Sequence, residues 1–208
     1  YMALVKYNNN SISAVTSAAS IPSGALTHIK TLTASSSATL SFVHGTDGVV
    51  LDSTYPIYKF EFINIHPATD QTNFTFNLSA DSGSNYNVTK TTTFFNAYNK
   101  EDGSDAGLTY DASRDLAQST SFQPLSHAAG NDNDQNLGGT LTIYNPSSTV
   151  FVKHFIATIN LNEFRDYCNT GFTAGYGNTT SAVNGVQFKY ASGNIDAGKI
   201  KLYGIKDS

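Results

Sequence analysis

Five histidines are scattered along the chain, at His28, His44, His66, His127 and His154, and one cysteine stands at Cys168. Structural zinc needs four Cys and His ligands converging from characteristic spacings, and none of these residues is so spaced, so no zinc ligand is assigned. The Tyr-Cys-Asn context of Cys168 offers no partner histidine at a fixed interval. It reads as a small buried or half-buried thiol rather than a nucleophile. Asn131-Asp132-Asn133-Asp134-Gln135-Asn136 is the segment richest in hard oxygen donors. Carboxylates and amide carbonyls of this kind suit calcium, but the central Gly and distant Glu of an EF-hand loop are missing. An Asp-Asn run serves equally well as a solvated turn, and Asp81-Ser82-Gly83-Ser84-Asn85 carries the same two readings. No metal or cofactor ligand is assigned to either.

Acid–base chemistry on a glycoside needs two convergent carboxylates at a controlled separation. Nearly all Asp and Glu fall in turn-like segments, and Glu61 and Glu163 have no evident carboxylate partner. A Gly-x-Ser-x-Gly elbow, a phosphate-cradling loop and a paired-histidine motif are all missing from the sequence. Gly171-Phe172-Thr173-Ala174-Gly175-Tyr176-Gly177 is glycine-rich but runs on into Asn and Thr, so it reads as a turn or close-packed loop. His154 reads as a packed or edge polar residue of a strand. The expectation is a protein that is not an enzyme, with no catalytic residue. Tyr7, Tyr55, Tyr86, Tyr98, Tyr110, Tyr167 and Tyr176 lie near turns or strand ends. They read either as peripheral core or as a sugar platform or subunit contact, uses to which aromatic rings are suited. Asn9, Asn73, Asn77, Asn87 and Asn178 begin sequons that arise readily in an Asn- and Thr-rich chain.

The elements that must position these side chains are strands. Aromatics make up 12% of the 208 residues and charged residues only 13%, about half the usual share, so the polar surface falls to Asn, Ser and Thr. Those residues suit sheet surfaces and turns better than helix interiors. A formal charge of -4 supplies no basic stripe for nucleic acid. No apolar run approaches the roughly 20 residues that span a bilayer, and no basic-then-apolar secretion signal is seen near the start. Tyr1 ahead of Met2 reads as an added residue, with the natural chain starting at Met2.

Residues 2–25 form a polar leader, and 26–208 a single β domain. Leu26 to Ala34 and Thr39 to His44 read as a first strand pair. Tyr58, Phe60 and Phe62 alternate with Lys59 and Glu61, after which Ile63 and Ile65 change parity, as a bulge or burial of both faces would explain. Phe74, Phe76 and Leu78 alternate cleanly, and Val88 to Tyr98 follows. Residues 99–138 break the rhythm as an irregular excursion, with two helical turns expected over Asp111 to Gln118. Strands resume at Gly139 to Tyr144 and Val150 to Asn160, and Phe172 to Tyr176 reads as an extended segment within the glycine-rich region. Val186 to Tyr190 and Lys199 to Ile205 read as a closing hairpin around a Gly-Asn turn. Nine or ten strands at this spacing favour one antiparallel β-sandwich, of jelly-roll rather than immunoglobulin type.

Several segments resemble small virion proteins of tailed phages of marine bacteria, cyanophages among them. They are Asp115-Leu116-Ala117-Gln118, Asn131 to Gln135, Gly139-Thr140-Leu141 leading into Asn145-Pro146-Ser147-Ser148-Thr149, Val152-Lys153-His154-Phe155, Gly175 to Ala182, and Ser192 to Asp196. The C-terminal strand pair resembles the same group, and the likeness covers most of the chain. It implies a non-enzymatic structural component of the virion, a capsid decoration or a tail or fibre-associated part, and carries over no catalytic residue. The alternative is a carbohydrate-binding module for host attachment, with a host-surface glycan as ligand. Partners on the first reading are other virion proteins. A homo-oligomer is expected, a trimer ahead of a dimer, with 99–138 and the leader as contact elements.

Overall fold

The computed structural model describes residues 25–207, so the leader expected over 2–25 lies almost wholly outside them. Twelve strands and no helix make up the described chain. They are β1 (Leu26–Thr33), β2 (Leu40–Val43), β3 (Ile57–Pro67), β4 (Phe74–Ser79), β5 (Lys90–Lys100), β6 (Ala106–Tyr110), β7 (Gln123–Pro124), β8 (Leu137–Tyr144), β9 (Lys153–Glu163), β10 (Tyr167–Gly177), β11 (Gly185–Tyr190) and β12 (Ile195–Ile205). Eight form a large sheet in the order β1-β12-β3-β8-β9-β10-β5-β6, and four form a small one in the order β2-β11-β4-β7. All pairings are antiparallel, and the two sheets pack as a sandwich.

Alternation decides which side chains enter the core. Tyr58, Phe60 and Phe62 from β3 meet Phe74, Phe76 and Leu78 from β4, all of them buried. Phe188 on β11 stands at the centre, with ring centroids 5.2 Å from both Phe60 and Phe62, 5.9 Å from Phe74 and 6.3 Å from Phe42. Burying each such ring stabilises the fold by about 1.5–3 kcal/mol, and edge-on pairs add about 0.5–1.5 kcal/mol. The parity change in β3 is a bulge: its register against β8 shifts between Phe62 and Ile65, with Asn64 at φ 50°.

Two expected hairpins do not form. β11 pairs with β2 and β4, whereas β12 pairs with β1 and β3, so the C-terminal strands lie in opposite sheets. β1 and β2 are likewise separated. Each of these strands has one apolar face, and placing consecutive strands in opposite sheets turns those faces toward each other across the core. The chain stays within one sheet only at β5–β6 and at β8–β9–β10; every other step crosses.

Other expectations are corrected locally. Residues 99–138 contain β6, β7 and the start of β8. Asp111 to Gln118 forms turns rather than a helix, because its backbone runs on along β5. Asp111 N–H donates to Phe94 O, Thr92 N–H to Leu116 O, and Lys90 and Ser119 exchange both of their bonds. The glycine-rich run is part of β10, an interior strand. At Gly171 the missing Cβ leaves room for the Leu125 carbonyl, which would stand 3.2 Å from it. β9 starts at Lys153, leaving Val150 and Phe151 exposed in the preceding turn. Cys168 is exposed on the outer side of β10 rather than buried.

Candidate functional site

The order of the large sheet carries it past the four strands of the small one. Across β9, β10, β5 and β6 the inward rows change character. One row reads Leu161, Asn169, Tyr98, Gly107; the next reads Ile159, Gly171, Asn96, Thr109. The apolar residues on β9 belong to the core, and the polar ones on the next strands floor an open depression of about 260 Å³. Asp105 enters it from the β5–β6 turn, Asp111 from just after β6, His127 from the segment between β7 and β8, and Arg165 from the β9–β10 turn. Glu163, the last residue of β9, and Tyr167, the first of β10, stand opposite each other in register.

Glu163 is the electrostatic anchor. Its side chain is only 3% exposed. Arg165 donates from Nε and Nη2 to Oε1, at 3.0 and 2.5 Å. His127 Nδ1 lies 3.3 Å from Oε2, near enough for an ion pair when protonated but poorly aligned as a hydrogen bond. Burial works to raise the Glu163 carboxyl, but the His127 ring and the Arg165 guanidinium outweigh it and hold the group below its ordinary value. The Arg165 guanidinium is fixed in turn over two rings, 4.9 Å from the centroid of Phe164 and 5.4 Å from that of Tyr167.

Tyr167 and Tyr98 meet edge to face, centroids 5.9 Å apart. The Tyr167 hydroxyl donates to Asp105 Oδ2 at 3.1 Å. On the opposite wall Asp111 binds Arg114 and accepts from Ser113 N–H and Oγ at 3.0 and 2.6 Å. Burial opposes its charge, but Ser113 and Arg114 prevail and keep the carboxyl below the usual value. On the floor, Asn169 is 1% exposed and its buried Oδ1 accepts no hydrogen bond within the protein. A buried acceptor left in this state costs about 1–3 kcal/mol, unlike nearly all its counterparts in folded proteins.

The structure therefore brings together Tyr98 and Tyr167, two of the tyrosines marked in the sequence, with three carboxylates whose convergence no spacing revealed. The remaining marked tyrosines go elsewhere. Tyr55 is core, packed over Gly204, Tyr86 is half-buried beside Gly83, Tyr110 is exposed on the outer side of β6, and Tyr176 leans on the exposed His154. Tyr7 lies outside the described residues. Among the described residues no group of three His, Cys, Asp or Glu side chains is placed to hold a metal ion. In the 131–136 loop the Asp132 carbonyl accepts from Gln135 N–H, as in a tight turn, and lies 3.2 Å from His66 Nε2. The Asp81 carboxylate is taken up by Ser79 and by both the side chain and backbone of Asn85, which hold its pKa down at about 2. No helix of the described residues is long and apolar enough to cross a membrane. No known protein family, curated protein or solved structure matches this chain.

Proposed function

We propose that this chain is a non-enzymatic structural component of a tailed-phage particle, located on the virion as a capsid decoration or a tail or fibre-associated part. The observation that carries the proposal is the wiring of the strands. β1-β12-β3-β8 and β2-β11-β4-β7 are two four-stranded sets, and the succession of these eight strands crosses between them at every step except β4 to β7. That order supports a jelly-roll reading, with β5–β6 and β9–β10 as added hairpins that widen one sheet. Jelly rolls build viral capsid and lectin domains. Fold alone does not license a function, so the sequence resemblance to marine phage virion proteins is the necessary second support. Mass spectrometry of purified particles tests the proposal: the protein is expected among the virion components, and its absence from intact particles overturns it.

Copies are proposed to associate, a trimer ahead of a dimer. The outward positions of β9, β10, β5 and β6 hold no Asp, Glu, Lys or Arg. Phe95 and Phe172 stack there at 4.9 Å, flanked by Leu108, Tyr110 and Ile156, which are 71%, 54% and 52% exposed. A neutral apolar face meets its own copy without like-charge repulsion.

A second reading, a carbohydrate-binding module for host attachment, is favoured by the Tyr98–Tyr167 depression. Aromatic faces beside Asn and Asp side chains supply both stacking and hydrogen bonds. A glycan array run with and without calcium tests it, and a blank array removes it.

A further inference from the structure

We infer that β6 is an interface strand that pairs edge to edge, antiparallel, with β6 of a second copy of the chain. The inference rests on the association reading, gives it a contact and takes its two-fold form.

The sheets of the described residues end in four strands, β1 and β6 in the large sheet and β2 and β7 in the small one. An end strand leaves a row of backbone N–H and C=O groups unpaired, and folded proteins block such rows with charge, proline, bulges, shortness or cover. Three of the four ends are blocked. β1 carries Lys30 and a register shift between His28 and Lys30. β2 is four residues long with none of them exposed, and β7 is two residues, one of them Pro124. β6 has none of these devices. Ala106-Gly107-Leu108-Thr109-Tyr110 carries no charge and no proline, pairs with β5 without a register shift, and is exposed at every residue but Gly107.

The bonds at its two ends show which backbone groups face away from β5. Asp111 N–H donates to Phe94 O, and Lys100 N–H donates to Asp105 O. Bonded pairs recur at every second residue of an antiparallel ladder. Gly107 and Thr109 therefore turn their backbone groups to β5, and Ala106, Leu108 and Tyr110 turn theirs outward. A two-fold axis at Leu108 matches that outward row completely. Leu108 then stands opposite Leu108 of the second copy, and Ala106 opposite Tyr110, so a ring covers a methyl group on the outer face. The nearest charges, Asp105 and Asp111, come opposite each other at the ends, and Asp111 is already met by Arg114. Main-chain bonds hold such a pair together while cross-strand side chains fix its register. Each copy offers one such edge among the described residues, so the pairing closes at two.

The test is light scattering on the full chain over a concentration series, with hydrogen exchange measured at its two ends. A monomer–dimer equilibrium is expected, between 22.3 kDa and twice that mass. Where the dimer dominates, the Leu108 amide should exchange about tenfold more slowly or better, while the Thr109 amide, bonded to β5 in both states, changes little. Leu108→Pro removes the outward N–H without breaking a β5 bond, since proline is tolerated at an open strand edge. It is expected to be monomeric at every concentration and to melt within about 4 °C of the wild type. If the proline variant melts lower, Leu108→Lys decides: it keeps the backbone, sets like charges opposite each other and is expected to be monomeric too. A wild type that is monomeric throughout overturns both the association reading and this inference. An oligomer that survives Leu108→Lys, or one whose Leu108 amide stays fast, overturns the edge contact and leaves association through the outer face standing. A trimer, or growth into larger assemblies, overturns the two-fold pairing.

Discussion

The two halves of the large sheet present opposite faces. In β12, β3 and β8 the inward side chains are apolar and buried, Tyr58, Phe60, Leu141, Ile143, Ile200 and Leu202 among them, and charges stand outside at Lys59, Glu61, Lys199 and Lys201. In β10 and β5 the inward rows carry Lys90, Thr92, Asn96, Asn169 and Thr173, while Phe95 and Phe172 face out. The first half has a second sheet in front of it and obeys the usual rule of apolar inside and polar outside. The second half is covered at one end, where Lys90 meets Asn77 of β4 and Thr92 meets Gln123 of β7, and open at the other, where its inner face is polar and concave; its outer face is apolar and neutral. The apolar core is concentrated in the first half and the open polar depression lies in the second. Substitutions in each half should behave accordingly.

The largest effect is expected at the middle of the covered half. Phe188→Ala removes the ring around which Phe42, Phe60, Phe62 and Phe74 are arranged, and should cost about 3–5 kcal/mol in urea denaturation. Phe172→Ala, on the outer face of the other half, should cost well under half as much. Equal losses would erase the distinction between the halves.

Next comes Lys90, at the boundary. It is fully buried on β5, donating to Asn77 Oδ1 at 2.5 Å and Val88 O at 2.8 Å, with no carboxylate beside it. Desolvation lowers its pKa to about 7 from 10.5. Between those values the unfolded chain holds a proton that the folded chain lacks, so stability rises with pH across that window. Lys153, also buried and lowered by desolvation, acts in the same direction. The gain from Lys90 should be about 2 kcal/mol between about pH 7 and pH 9, and Lys90→Met should flatten most of it. A wild-type stability that is level or falling over this range would contradict the burial of a neutral lysine.

Glu163 sharpens the comparison from the side of the site. Glu163→Gln strips Arg165 and His127 of their shared carboxylate. The expected loss is about 1–2 kcal/mol, below that of a fully buried pair, because Arg165 is 57% exposed and can turn to water. Since the folded carboxyl titrates below its ordinary value of 4.5, its contribution is complete above that value and disappears as pH falls through the lower folded one. The variant should therefore show a flatter acid limb in thermal melts recorded from neutral to acid pH.

The covered half was legible in the sequence because burial on one face imposes a period of two. The alternations at Tyr58 to Phe62, Phe74 to Leu78 and Val186 to Tyr190 each identified a real strand. Alternation reports a face, however, not a neighbour, so β11 and β12 looked like a hairpin although they lie in opposite sheets. The extension was less legible. The glycine-rich run admits both an extended segment over Phe172 to Tyr176 and a turn or close-packed loop, and it is an interior strand where backbone packs close, the Thr91 carbonyl standing 2.5 Å from where a Cβ of Gly175 would be. Asp111 to Gln118 carried a cap signal that pairing along β5 overrode. The site itself draws on five separate stretches of chain, from Asn96 to Asn169, and its convergence has no local signature. Tyr98 and Tyr167 were visible as tyrosines at strand ends, but their meeting depends on the register of β5 against β10.

The smallest effect on stability should come from the outer face of the extension, and it separates assembly from folding. Leu108 is 71% exposed on β6, the end strand of the large sheet, opposite Ala97 and two residues before Tyr110 on the same outer face. Leu108→Ser removes little buried surface, so the monomer's stability should change by no more than about 0.5 kcal/mol. If copies meet through this neutral face, the same change removes the most exposed apolar side chain from an interface that has no Asp, Glu, Lys or Arg to replace it. Light scattering at micromolar concentration should then show an oligomer for the wild type and a shift toward the 22.3 kDa monomer for the variant. Replacing Lys201, on the charged outer face of the covered half, with Ser should leave the assembled mass unchanged. An oligomer that tolerates Leu108→Ser but dissociates with Lys201→Ser would place the contact on the wrong half of the sheet. A wild type that is monomeric at every concentration would leave the apolar face without a second copy to cover it.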